Sequence, residues 1–209
     1  MIYLRFRHNG QTKNGIMEDG VIREIQGSFF SGYVLTNNEY RLEDVKLMIP
    51  CTPSKVVAVG KNYYEHVKEM GMELPENPIL FAKLPHTYIG PDEPIVIPEG
   101  ATRVDYEAEL AVVIKKECRK IKPEEADEYL LGAMCLNDVT ERDVQRKDGQ
   151  WMRGKNYETF CPMGPYIVDG IDFNSLDIKL MLNGEVKQSS NTSKFMWNVQ
   201  QLVSFISYV

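Results

Sequence analysis

The sequence has no basic arm, no closely paired cysteines, no glycine-rich phosphate loop and no long apolar run, and each gap removes a class of function. Its 209 residues carry a formal net charge of -6, with lysines and arginines spread along the chain. A nucleic-acid binder presents a basic face to the phosphate backbone, so no nucleic-acid partner is expected. The cysteines Cys51, Cys118, Cys135 and Cys161 form no C-x-x-C pair and no zinc-type spacing. Free thiols in a reducing cytoplasm are the simplest reading of them. Neither G-x-G-x-x-G nor a Walker loop occurs, which leaves nucleotide binding without support. No apolar stretch is long enough to cross a bilayer, and "MIYLRFRHNGQTKNG" lacks the apolar centre of a signal peptide. No membrane partner is expected, and no internal repeat or low-complexity tract is present.

What the chain does contain is short strands punctuated by turns. Residues 1–50 read as a small β-rich domain: "MIYLRFR" alternates, "NGQTKNG" turns, and "IMEDGVIREI" is strand, Asp-Gly turn, strand. Pro50 and Pro53 bracket a linker to a second domain over 51–209. There "KVVAVG" is a strand, and "NYYEHVKEM" is a short helix capped by Asn62 and stopped by Gly71. The proline-rich run from Leu74 to Pro98 is extended. "KPEEADEYLLGAMCL" is predicted helical, "FCPMGPYIV" extended, "LDIKLMLNGEVKQ" a hairpin turning at Asn183-Gly184, and "MWNVQQLVSFIS" a closing helix. The predicted fold class is mainly β with a few helices, α+β, on a mixed sheet.

"VDYEAELAVVI" opens the chemical question. In a continuous strand Asp105, Glu107 and Glu109 share one face with Ala111 and Val113. Three carboxylates pointing inward repel one another and cost several kcal/mol each unless protonated, paired or bound to a cation. A solvated strand end explains the pattern as well. A second acidic stretch, "CLNDVTERD", places Asp138 directly after an apolar run. Glu107, Glu109 and Asp138 then make a possible oxygen-only metal site, a donor set suited to Mg2+, Mn2+ or Ca2+ and not to zinc.

Other candidates are weaker by themselves. His66 and Glu69 lie three apart, on one face of the predicted helix, where a carboxylate orients an imidazole as a general base. An ordinary surface helix gives the same spacing by chance. Lys155, in the glycine- and aromatic-rich "WMRGKNYETFCP", suits stabilisation of an enolate or oxyanion, or is a surface lysine. Arg142 and Gln145 suit a substrate carboxylate, or are loop residues paired with nearby acids. His8 and His86 have no such partner and read as structural.

Taken in order, "VGKNYYEHVKEMG", "PILFAKLPHTYIGPDEPIVIP", "VDYEAELAVVI", "NDVTERDVQ", "GQWMRGKNYETFCPMGPYIV" and "NGEVKQSSNTSKFMWNVQQLVSFIS" resemble the fumarylacetoacetate hydrolase superfamily over roughly residues 53 to 209. The resemblance implies a β-roll packed by a few helices, commonly dimeric, with a small N-terminal β domain. It also implies Glu107, Glu109 and Asp138 as ligands of Mg2+ or Mn2+, with Ca2+ as an alternative occupant, and Asp105 behind them. It implies His66 and Glu69 as a catalytic dyad on a lid helix, Lys155 as the active-site lysine, and Arg142 and Gln145 along the substrate. A homodimer acting on a small 2-oxo acid is expected.

The chemistry so implied runs through a metal-stabilised enolate, with C–C bond hydrolysis or decarboxylation of an acylpyruvate- or oxaloacetate-like acid placed first. Isomerisation of 2-hydroxyhepta-2,4-diene-1,7-dioate uses the same enolate and is the alternative. A non-catalytic β protein braced by an ion is the alternative of another class. Two departures stand out. The family usually continues into a Gly-Asp turn and a Gly-Thr-Pro segment, whereas this chain ends in the apolar "LVSFISYV", as though its C-terminal part were missing. Lys61 also stands where relatives often carry another residue before Asn-Tyr.

Overall fold

The N-terminal fifty residues show why this chain favours strands. Apolar and polar side chains alternate there, and glycine follows a turn-forming residue where the chain must reverse. The computed structural model, which describes residues 1–64, 68, 71 and 73–209, folds this stretch into β1 (Ile2–His8), β2 (Gln11–Glu18), β3 (Val21–Ser28), β4 (Gly32–Arg41) and β5 (Lys46–Met48). Two-residue turns at Asn9-Gly10 and Asp19-Gly20 take positive φ at both positions, the geometry that matches strand twist. Only Asn9-Gly10 of "NGQTKNG" turns; the rest belongs to β2.

The strands that follow are β6 (Val56–Gly60), β7 (Ile79–Lys83), β8 (Tyr88–Ile89), β9 (Val104–Asp105) and β10 (Ala108–Ile114). A 3-10 helix (Pro123–Tyr129) leads into β11 (Leu130–Asn137) and β12 (Thr140–Glu141). Helices α1 (Arg142–Asp148) and α2 (Met152–Lys155) precede β13 (Cys161–Val168), the hairpin β14 (Asp177–Leu182) and β15 (Glu185–Asn191), and helix α3 (Val199–Ile206). The strand-rich fold with few, short helices is the class the sequence predicted.

One sheet dominates, in the order β10-β11-β13-β1-β2-β3-β4, with β5 beside β1 and β8 beside β13. It joins the N-terminal strands to the rest through β1 and β13, with Ile2 opposite Val168 and Tyr3 opposite Ile167. Alternation along β1 sends Leu4 and Phe6 into one cluster with Ile22. Tyr3 faces the other side, where Ile16, Ile25, Val113, Leu131, Met134 and Ile167 pack together. A third cluster sets Val199 and Val203 of α3 on Ile121, Ala126 and Leu130. Asn198 and Gln201 start α3 with a reciprocal capping box.

Two predicted elements differ. The helix predicted over "KPEEADEYLLGAMCL" is helical only to Tyr129; Leu130 onward is strand. Tertiary pairing overrides helix propensity here, because β11 lies between β10 and β13 and buries Leu130 to Met134. Gly132 permits the close approach: a Cβ there would stand 2.4 Å from the Val168 carbonyl oxygen. The strand predicted over 104–114 is broken at Tyr106–Glu107 into β9 and β10, so its simple alternation stops at that point. Of the predicted helix "NYYEHVKEM", the residues that matter chemically, His66 and Glu69, lie outside the described residues.

Two measurements probe these assignments. G132V must push β11 from β13 and is expected to lose roughly 1–3 kcal/mol of stability in urea titration. Glu24 accepts hydrogen bonds from Lys13 (2.9 Å), Asn38 (3.0 Å) and Tyr40 (2.7 Å). Burial pushes its carboxyl up, but these donors outweigh burial and hold it below its ordinary 4.5. The stabilisation is therefore complete above that pH and disappears as pH falls through the lowered folded-state value. The stability gap between wild type and E24Q is expected to be present at pH 7 and to shrink as pH falls below 4.5, as urea titrations across that range would read.

Candidate active site

The acids meet because two neighbouring strands break at the same level. β10 and β11 pair from Ala108–Asn137 to Ile114–Leu130. Beyond Ala108 and Asn137 both chains leave the main sheet, and they pair again as β9 and β12, with Thr140 opposite Asp105. At the breaks, the Asp138 amide donates to the Glu107 carbonyl (2.9 Å), and the Glu107 amide donates to Asn137 Oδ1 (2.9 Å). Glu107 and Asp138, thirty-one residues apart in sequence, are thereby held side by side, with Glu109 two residues further on β10.

The cations come from two other elements. Lys155 is the last residue of α2, which follows α1 through a left-handed Gly149. Gly154 allows α2 to press on the start of α1, since a Cβ there would meet the Glu141 carbonyl oxygen at 2.8 Å. Glu141 caps α1 by accepting from the Val144 amide. Lys83 ends β7, and Asn156 clamps β7 in place: its Nδ2 donates to the Ala82 carbonyl (2.9 Å) and its Oδ1 accepts from the Leu84 amide (2.6 Å). The Trp151 ring packs edge-on to Phe81 at 5.3 Å.

The result is a compact alternation of charge. Lys83 donates to Asp138 Oδ1 at 2.7 Å and Lys155 donates to Asp138 Oδ2 at 2.6 Å. Lys155 also reaches Glu107 Oε2 (2.6 Å), and Arg142 reaches Glu107 Oε1 (2.5 Å) and Asp105 Oδ2 (2.8 Å). Gln145 Oε1 accepts from Arg142 at 3.1 Å. Lys83 further donates to the carbonyls of Lys155 and Val139. Among the described residues, Glu109 has no hydrogen-bond donor. Burial, then the charges of Glu107 and Asp138, push its carboxyl up to about 8, against the opposing pull of Lys155. Burial raises Asp105 as well, but Arg142 and Arg103 outweigh it and hold that carboxyl below the usual range.

These groups form one wall of a cleft of about 1470 Å³ that also runs along β10 to α3. The structure therefore brings Glu107, Glu109, Asp138, Lys155, Arg142 and Gln145 together. His66 and Glu69 lie outside the described residues. His8 and His86 stand apart from the cleft lining and bind backbone carbonyls of Asp44 and Asn156. Among the described residues no three acids, histidines or cysteines are grouped as a ready metal cage, and all four carboxylate oxygens of Glu107 and Asp138 lie on lysine or arginine. The donor chemistry still fits a hard dication: Glu107, Glu109 and Asp138 supply carboxylate oxygens, and among the described residues Glu109 has no hydrogen-bond donor.

Lys83 is the site residue that the sequence reading passed over. It ends the apolar run "ILFAK" with its side chain fully buried. The available signal was a lone lysine closing a buried strand just before Leu84-Pro85. Among the described residues all four cysteines are free, and no helix is long and apolar enough to span a membrane.

A strand-built cleft walled by interleaved carboxylates and buried cations is the kind of place where an enzyme site is found. The chain belongs to the fumarylacetoacetate hydrolase family of enzymes: residues 55–209 match the model described as fumarylacetoacetate (FAA) hydrolase C-terminal, and residues 1–50 match Rv2993c-like, N-terminal. An uncharacterised protein of Archaeoglobus fulgidus is 47% identical over 206 residues, 98% of this chain and 78% of the relative. The mitochondrial oxaloacetate tautomerase fahd2 of Xenopus laevis is 39% identical over 181 residues, and this chain spans 57% of its length. The crystal structure of 5-carboxymethyl-2-hydroxymuconate delta-isomerase from Mycobacterium smegmatis superposes with a TM-score of 0.92 at 40% identity, over all of this chain and 83% of that one.

Removing the Lys83 ammonium leaves Asp138 and two carbonyls short of a buried donor. K83M is expected to lose about 3–5 kcal/mol of stability, measured by urea denaturation.

Proposed function

We propose that this protein interconverts keto and enol forms, or shifts a double bond, in a small 2-oxo or 2-hydroxy-dienoic acid, with Mg2+ or Mn2+ as cofactor. The observation that carries this reading is the alternation of acids and cations on one wall of an open cleft, with Glu109 left without a donor among the described residues. The sequence reading put C–C hydrolysis or decarboxylation first. The isomerase and the tautomerase among the relatives favour the alternative. An open cleft over the acids also argues against an ion that merely braces a β fold.

In this reading Glu107, Glu109 and Asp138 would hold the dication, which supplies polarisation of the substrate's carbonyl when bound. Lys155 places a positive charge where negative charge develops on the substrate oxygen. Arg142 is spent on Asp105 and Glu107 and orients Gln145 through the amide oxygen, so the Gln145 amide nitrogen is the group turned to the substrate carboxylate. His66, with Glu69 as its orienting carboxylate, is the base that moves the proton. We propose further that the protein is cytoplasmic, in keeping with its free cysteines, and homodimeric. The dimer is supported by apolar side chains exposed on the β14–β15 hairpin, Met181, Leu182 and Val186, and on the loop Ile95–Ile97.

Oxaloacetate enol and acetylpyruvate, each supplied with Mg2+, Mn2+ or a chelator, test the reading. Metal-dependent ketonisation of oxaloacetate is expected, with E109Q reducing kcat/KM by at least about 100-fold. Cleavage of acetylpyruvate without ketonisation returns the hydrolase reading to first place. Turnover of neither acid, with metal supplied, defeats both.

A further inference from the structure

Lys83, Arg142 and Lys155 are not equivalent. Lys83 is fully buried and bonds two backbone carbonyls besides Asp138, so moving it would strand those carbonyls. Arg142 is fixed by Asp105, Glu107 and Gln145 through three nitrogens. Among the described residues the ammonium of Lys155 bonds only the two carboxylates, Glu107 and Asp138. The Phe81 ring centroid lies 5.2 Å away. The ammonium sits on a flexible stem, uses two of its three donors among the described residues, and lines the cleft. The oxygens it holds belong to two of the three acids proposed to bind the dication.

We infer that Lys155 is a partner-exchanging cation that couples cofactor and substrate: it competes with the dication for Glu107 and Asp138, and transfers to the anion of the incoming acid. The inference rests on the metal-assisted reading above. Three consequences follow from charge alone. Alone, the dication must displace or crowd a like charge, which weakens its binding. A chelating dianion gives the displaced ammonium a new partner, so each ligand strengthens the other. By linkage the effect is the same in both directions. Lys155 is thus both a brake on metal binding and a contact for substrate. Lys83 keeps Asp138 in position throughout the exchange.

Calorimetric titration of the chain with Mn2+, with oxalate, and with each in the presence of the other tests this. Oxalate serves as the simplest planar chelating dianion. K155Q removes the charge and K155R keeps it. K155Q is expected to bind Mn2+ alone at least about tenfold tighter than wild type, and to lose at least about fivefold of the factor by which oxalate tightens Mn2+. K155R is expected to bind Mn2+ no tighter than wild type. Unchanged or weaker Mn2+ binding by K155Q overturns the inference while leaving the metal reading intact. Absence of Mn2+ binding by wild type and both variants defeats the metal reading and the inference with it. A variant-free measurement stands beside these: the lysine ammonium resonance of wild type, followed by 15N NMR, should shift when Mg2+ is added and again with oxalate. A resonance indifferent to both also overturns the inference.

Discussion

The carboxylate of Asp138, held between two buried lysines, is the interaction on which the rest of the site depends. A carboxylate this buried is costly unless its lone pairs are met by donors of opposite charge. Lys83 takes one oxygen and Lys155 the other, and Lys155 extends the chain of charge to Glu107 and Arg142. Each element that supplies a member is therefore fixed relative to the others: β7 through Lys83, α2 through Lys155, α1 through Arg142, and the β10–β11 pair through the acids.

The sheet makes that lattice possible by failing at one point. Two paired strands leave the main sheet together, and the break is tied by the Asp138 amide donating to the Glu107 carbonyl and the Glu107 amide donating to Asn137 Oδ1. A regular strand already puts Asp105, Glu107 and Glu109 on one face, and at the break the Asp138 amide bonds the Glu107 carbonyl, which brings Asp138 beside them, while the rest of β10 and β11 stays in the main sheet with β13. A rigid sheet carrying an irregular, charged edge is a good support for an enzyme site, because the scaffold bears the cost of assembling the charges.

Much of the fold was readable from local pattern. Alternation with Asn-Gly and Asp-Gly turns gave the N-terminal strands, Asn183-Gly184 gave the hairpin, and the helical pattern of "MWNVQQLVSFIS" gave α3. The 130–137 segment was not readable, because Leu, Ala and Met favour a helix in isolation and only pairing with β10 and β13 makes them a strand. The acids of the site were visible because inward carboxylates conflict with the apolar pattern around them. Lys83 was hidden by the same logic: a single lysine at a strand end looks solvated until its partners are known.

The sequence by itself determined which side chains are candidates for chemistry and where most strands can form, since residue type and periodicity are local properties. Tertiary structure alone decided that Lys83, ending β7, lies opposite Asp138, that Arg142 is spent on acids, and that Lys155 bridges Glu107 and Asp138. Those pairings depend on charges brought together across 17 to 55 residues of chain. No local pattern encodes which of several lysines and carboxylates will meet once the strands have packed.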